Sequence, residues 1–330
     1  MRRLYRNLAA VALGSAVLSL AGIWSFPDAA ERARVPYRVG VLNDARAANH
    51  PAADGLRAGL AEAGLQEGRD VLFDVQVTDG SPEGMLAATR ALVTSGANVI
   101  FTTGDAATLA AKTATQTIPI VFTLVGDPVA AGVVTSLAQP KGNLTGVSSL
   151  TTELVPKRLE ALKALAPSLR RVWTISYGAD PASDAAVTRA LEVSSRFGIE
   201  VAPRTIRTPD ELEHFLDSLR PGDALLVPDV ATMDISARLL ETSLARRIPA
   251  AFSSELWVNH GGLVSYGADY RAQGVQAARL VRKILRGAHP RDLPVEGADR
   301  IILAVNLKTV AAFGLTAPRQ ILFRADVIRR

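Results

Sequence analysis

Thr117-Ile118-Pro119-Ile120-Val121-Phe122 and Arg247-Ile248-Pro249-Ala250-Ala251-Phe252 are two short apolar runs entered through the same Ile-Pro pair. Each closes a similar series of strand-like and helix-like stretches. The two Ile-Pro pairs lie 130 residues apart, and Gly64 and Gly198, each ending a helix-like stretch, lie 134 apart. A period shared by two independent markers implies two lobes built on one plan.

Working outward from the first run, residues 37–42, 71–77 and 99–103 read as strands and residues 51–63, 82–95 and 105–115 as helices. Around the second run the order returns: strands over 171–177, 200–206 and 224–227, helices over 182–197, 210–219 and 235–246. Strands alternating with helices at this interval predict βαβ units and a parallel sheet. Near-continuous Val, Ile and Leu in the strands predict helices on both faces. The expected fold class is α/β, with two doubly wound Rossmann-like lobes joined by a hinge. In such sheets ligands bind beyond the carboxyl ends of the strands. Two lobes pointing those ends at each other would grip a ligand from two sides and close around it.

The 330-residue chain is 48% hydrophobic and 21% charged, enough to bury a core in each lobe. Its N-terminus stands apart. Arg2, Arg3 and Arg6 precede an uncharged run from Leu8 to Phe26. A basic start before an apolar run reads as an export signal over residues 1–30, and its length also allows an uncleaved anchor through residues 8–26. The expected location is the periplasm. There is no cysteine, which excludes a lipidated cysteine, a disulfide and a thiolate metal site. The formal charge of +5 is scattered rather than blocked, so no nucleic-acid footprint is read. Asn43-Asp44-Ala45-Arg46 follows the first strand where a dinucleotide enzyme carries G-x-G-x-x-G, and no P-loop or G-x-S-x-G is present. His50, His214, His260 and His289 have no metal-ligand spacing. Neither an enzyme nor a cofactor is expected. A repressor would need a DNA-binding unit before the first lobe, and residues 1–36 are too short and too apolar for one.

The chain resembles the bacterial ABC-transporter substrate-binding proteins of the tryptophan/tyrosine-type group, which have the type I periplasmic-binding fold. The resemblance spans roughly residues 37–327. It is carried by Gly55-Leu56-Arg57-Ala58-Gly59-Leu60, Thr103-Gly104-Asp105-Ala106-Ala107, Ile118-Pro119-Ile120-Val121-Phe122, Gly126-Asp127-Pro128-Val129, Gly142-Asn143-Leu144-Thr145-Gly146-Val147-Ser148 and Pro156-Lys157-Arg158-Leu159-Glu160. Later segments are Gly261-Gly262-Leu263-Val264-Ser265-Tyr266-Gly267, Ile284-Leu285-Arg286-Gly287 with Asp292-Leu293-Pro294-Val295, and Asn306-Leu307-Lys308-Thr309. The resemblance implies a monomer that passes an amino acid or small organic anion to a membrane permease. It also implies an N-terminal lobe of residues 37–148 plus 267–298 and a C-terminal lobe of 149–266 plus 299–330.

The candidate site follows the strand ends. Thr103, Gly104, Asp105 and Ala106 join a strand to a helix, where backbone N–H groups and the helix dipole suit a carboxylate; the alternative is a plain N-cap by Thr103 or Asp105. Asp127, before Pro128, either receives an ammonium or forms a turn. Tyr177 offers a ring face and a hydroxyl, and Ser183 either touches ligand or caps a helix. Asp229, after Pro228, suits an α-ammonium or is a solvated turn acid. Glu255 hydrogen-bonds ligand or serves a helix start, and Trp257 is a cleft wall or core. Two departures are visible. The loop at 178–183 keeps only Ser183 of the group's Asn and Ser pattern, and Val230 follows Asp229 where amino-acid binders carry Asn.

Overall fold

The computed structural model describes residues 35–43, 50–78, 80–178, 181–227 and 233–330. The export segment expected over residues 1–30 lies outside them. In chain order the first lobe begins with β1 (Tyr37–Asn43), α1 (Pro51–Glu62), β2 (Val71–Gln76), α2 (Pro82–Thr94), β3 (Val99–Thr103), α3 (Asp105–Ala114), β4 (Ile120–Val125) and β5 (Leu144–Ser148). The second lobe follows with α4 (Val155–Leu165), β6 (Arg171–Tyr177), α5 (Pro181–Val193), β7 (Glu200–Ile206), α6 (Pro209–Ser218), β8 (Asp223–Leu226), α7 (Met233–Arg246), β9 (Ala250–Phe252), α8 (Glu255–Asn259) and β10 (Val264–Ala268). The chain then runs through α9 (Tyr270–Leu285), β11 (Glu296–Gly297), β12 (Ile301–Asn306), α10 (Leu307–Ala312), α11 (Arg319–Arg324) and β13 (Val327–Arg329).

These strands form two sheets of orders β11-β5-β4-β3-β1-β2 and β13-β12-β10-β9-β8-β6-β7. The two α/β lobes expected from the repeat are therefore present. β4 starts at Ile120 rather than at the Ile-Pro pair, although the carbonyl of Pro119 already accepts from the N–H of Ile100. Pro has no N–H to give a ladder. One feature differs from an all-parallel expectation: β12 runs antiparallel to β10. It enters its sheet after a visit to the other lobe, and so from the opposite direction.

Sequence explains the local elements. α2 starts at Pro82 with Ser81 accepting from Gly84 N–H, and α9 starts with Asp269 accepting from Ala272 N–H. Such caps satisfy N–H groups that the first helical turn leaves open. Each lobe buries its own apolar faces. Val39, Val41, Val99, Phe101 and Val121 pack on one side of the first sheet, and Leu42, Ile100, Ile120 and Phe122 on the other. Val172, Ala224, Leu226 and Ala251 pack on one side of the second, and Ile175, Leu225, Ala250 and Phe252 on the other. Among the described residues, Ala268 and half-buried Ile301 are the members of the second sheet that reach a first-lobe core. Among the same residues no helix is long and apolar enough to cross a membrane.

The helix pair α1 and α9 sits in nearly backbone contact. A Cβ on Gly55 would stand 2.0 Å from the carbonyl oxygen of Arg271, and one on Gly274 would stand 1.9 Å from that of Ala52. Both are backbone atoms, so relief requires the helices to separate. Gly55→Ala is expected to destabilise the protein by about 3 kcal/mol through overpacking, measured as a fall in Tm by scanning calorimetry. Gly64→Ala is the contrasting variant, because nothing lies within 4 Å of its added Cβ; any cost there comes from its φ of +84° alone.

Candidate ligand-binding cleft

The chain leaves the first lobe from the carboxyl end of β5, between Ser148 and Val155. It returns from the carboxyl end of β10 through the single residue Asp269, and crosses again between Gly297 and Ile301. β5 is parallel to β4, and β10 is parallel to β9. The carboxyl ends of both sets of parallel strands therefore lie beside the crossings. This is the end of an open α/β sheet where ligands are held.

On the first lobe, β1 ends at Asn43 and β3 at Thr103. Both are fully buried, and the Thr103 hydroxyl donates to Asn43 Oδ1 at 3.3 Å. Gly104 is the N-cap of α3 with φ +84°, and no side chain caps this helix. Neither Thr103 nor Asp105 plays the capping role that was the alternative reading. Instead Thr102 and Thr108 pair at 2.8 Å, and Thr108 donates to the Gly104 carbonyl at 2.6 Å, which fixes the turn from inside the lobe. Asp105 and Ala106, both half-buried, form the first turn. The arrangement presents a helix N-terminus at the strand ends, with no side-chain cap from Gly104 and with the Asp105 carboxylate in its first turn.

The other expected residues separate. Asp127 Oδ1 accepts from Val129 N–H at 3.1 Å and Ala130 N–H at 3.0 Å, so this oxygen holds its own turn. Tyr177 ends β6, and Ser183 is buried in the first turn of α5. Asp229 lies outside the described residues. Glu255 opens α8, whose cap is Ser254. The Glu255 carboxylate accepts from Arg329 of the edge strand β13 at 3.2 Å and from Asn259 at 3.3 Å. Its charge is thus met from within the second lobe. Trp257 is half-buried and stacked on Phe252, with ring centroids 6.1 Å apart. Among the described residues no cluster of three His, Asp or Glu could hold a metal ion.

Two groups at this end were missed from sequence. Asn43 closes an apolar strand, and a polar residue at that point was the available signal. His50 caps α1, accepting from Ala52 N–H at 3.1 Å, and its ring stacks on Tyr270 with centroids 6.1 Å apart. Burial pushes the His50 imidazole down to about 4, with Asp54 opposing part of the shift.

Residues 41–328 match the family of ABC transporter substrate binding proteins, and the chain belongs to it. The "Tyrosine-binding protein" of Clostridioides difficile is 28% identical over 275 residues, covering 81% of this chain and 78% of that protein. A conserved domain protein from Vibrio cholerae is similar in structure at a TM-score of 0.77 and 27% identity, covering 89% of this chain and all of that one. An ABC domain from Streptococcus pneumonia in complex with L-Trp has a TM-score of 0.76, with 89% of this chain and 100% of that one covered. At 24% identity it shows a shared fold. The general role is solute binding for an ABC transporter.

His50 gives this end of the molecule a pH dependence with a defined sign. Its folded value, about 4, lies below the ordinary 6.5. Between these values the unfolded chain takes up a proton that the folded chain refuses, so stability is full above about pH 6.5 and falls toward pH 4. His50→Asn keeps a capping acceptor without titrating. In urea titrations it should lose less stability than the wild type between pH 7 and pH 4, by about 2 kcal/mol.

Proposed function

We propose that the protein is the exported solute-binding component of an ABC uptake transporter, closing its two lobes over an amino acid or a small organic anion. The observation that carries this reading is the α3 N-terminus, set at the strand ends beside the buried Asn43–Thr103 pair. Free N–H groups at a helix start favour a carboxylate. An acid of the opposing lobe, Asp229, would pair with an α-ammonium, and an apolar wall would take the side chain. The tyrosine-binding relative and the fold shared with the L-Trp complex support an amino acid. The departures at residues 178–183 and at Val230 weigh against a pocket built solely for tryptophan or tyrosine. Closing the lobes would exclude water and strengthen each polar contact. The product of binding is transfer to a membrane permease, with no bond made or broken and no cofactor. We place the protein in the periplasm, with residues 1–30 acting as a signal or as an anchor.

Thermal-shift screening followed by calorimetry tests this. The panel is the amino acids, including L-tyrosine and L-tryptophan, with small organic anions. A ligand that raises Tm should lose affinity by about 10- to 100-fold when its carboxylate is removed, as in tyramine or tryptamine, consistent with loss of a charge-assisted hydrogen bond. Asp229→Ala should weaken a zwitterionic ligand and spare a simple anion; unchanged affinity removes Asp229 from the site. A reporter fused after residue 36 should be exported, and its retention in the cytoplasm would refute the periplasmic placement. A sensor that reports to a membrane receptor would pass these tests but would not restore uptake to a strain lacking this gene.

A further inference from the structure

All three crossings converge on the first two turns of α9. Asp269, the second crossing, donates its N–H to the Arg300 carbonyl at 3.0 Å, and its carboxylate pairs with Arg300 at 3.3 Å. Gln276 holds the third crossing, accepting from Asp299 N–H at 3.1 Å and donating to the Gly297 carbonyl at 2.9 Å. Gln273 holds the first: its Oε1 accepts from Leu124 N–H and from the Ser149 hydroxyl, each at 3.3 Å. The backbone donor of Leu124 fixes which end of the amide is oxygen.

The first crossing is gripped from both lobes. Gln273 reaches Ser149 from the first. Arg158, the largest fully buried side chain among the described residues, donates from α4 of the second lobe to the Thr151 carbonyl. Between these two attachments lies Leu150 with φ +56°, and Leu124 beneath Gln273 has φ +59°. A side chain larger than glycine occupies the left-handed region only at a cost, and such residues persist where surrounding contacts hold them. Leu150 is also wedged against the third crossing, because a Cβ on Gly297 would stand 3.2 Å from its methyl groups. A turn about Leu150 therefore moves one lobe against the other and disturbs the contacts of Gln273.

The amide itself is incompletely used. Gln273 is 1% exposed, and its Nε2 has no hydrogen-bond partner among the described residues. Both bonds to its oxygen, at 3.3 Å, are longer than the usual range. A buried donor without an acceptor marks a group that is better satisfied in another state or by an unseen water. We propose that Gln273 is the positioning residue of the pivot. Its oxygen holds the first crossing in the described arrangement, its NH2 gains an acceptor when the crossing turns about Leu150, and this exchange sets the balance between two lobe arrangements. The consequence for ligand affinity rests on the solute-binding reading above, because a ligand pays for whatever fraction of the protein is not ready to bind. The pivot itself does not.

The test uses the full chain without ligand. The protein has no cysteine, so Glu83→Cys in the exposed first turn of α2 and Asp210→Cys in that of α6 take spin labels at two sites only. Pulsed electron resonance then reads the distance between the lobes. Gln273→Met, which keeps length and loses both polar atoms, should broaden the distribution or add a second, displaced maximum. The Leu124 amide should at the same time exchange its hydrogen faster. Leu150→Gly, which frees the left-handed position, should broaden the same distribution. A purely structural glutamine would lower Tm and leave the distances alone, as Leu162→Ala in the second-lobe core should do. An unchanged distance distribution in Gln273→Met overturns the proposal; if that variant does not fold, an unchanged distribution in Leu150→Gly overturns it. Failure of every amino acid and anion to bind would sink the functional reading and leave this measurement standing.

Discussion

The structure depends on a helix that begins one residue after a strand of one lobe and packs entirely on the other. α9 follows β10 across Asp269, yet its buried face meets α1 and the first sheet. Its seat is possible because Gly55, Gly59 and Gly274 remove the side chains that would hold the two helices apart. With that helix fixed, the strand ends of the two lobes are obliged to share one set of crossings. The nearness of the two sets of strand ends is a consequence of this connection. The same helix start then ties down the chain at Ser149 and Asp299, so one short segment governs every covalent link between the halves.

Separate cores are the second half of the argument. Each sheet buries its own two apolar faces, and among the described residues Ala268 and Ile301 are the members of the second sheet that join a first-lobe cluster, at the crossings. A rotation at the crossings therefore exposes little apolar area, and its energy is set by a few hydrogen bonds and by the left-handed leucines. Contacts of that kind are worth about 1 kcal/mol each net. Differences of this size move a population substantially without unfolding a lobe. A binding protein of two lobes needs that combination: stiff halves and a soft joint.

Much of this was legible in the sequence. The paired Ile-Pro runs and the matching glycines gave two lobes, because a buried parallel strand is written in a local run of Val, Ile and Leu. Helix starts such as Ser81-Pro82 are equally local. β12 was not legible as an antiparallel strand, since its direction depends on where α9 and β11 leave the chain, and no local pattern records that. The site was only partly readable. Thr103 and Gly104 announce themselves as a strand-to-helix turn, but the partner of Thr103 is Asn43, 60 residues away. Gln273 reads as one polar residue on an amphipathic helix; its partners Leu124 and Ser149 are 149 and 124 residues distant. Asp127 and Glu255 show how much a local reading leaves open. Acids after strand ends invite a ligand reading, while the structure gives the first an oxygen engaged in its own turn and the second an arginine on an edge strand.

The disposition of charge at the strand ends bears on what this end of the molecule can hold. Among the described residues the polar groups buried near α3 include amides and hydroxyls bonded to one another and one oxygen of the Asp105 carboxylate, and His50 is kept neutral, its Nδ1 used as a backbone acceptor and its ring stacked on Tyr270. A general base needs a lone pair directed at substrate and a value near the working pH. His50 offers neither, since its acceptor nitrogen is taken and burial has moved it to about 4. What the described residues leave at this end is a set of fixed dipoles beside the Asp105 carboxylate. Dipoles already held in place meet a polar solute without rearranging, which suits solute binding, the general role of the family.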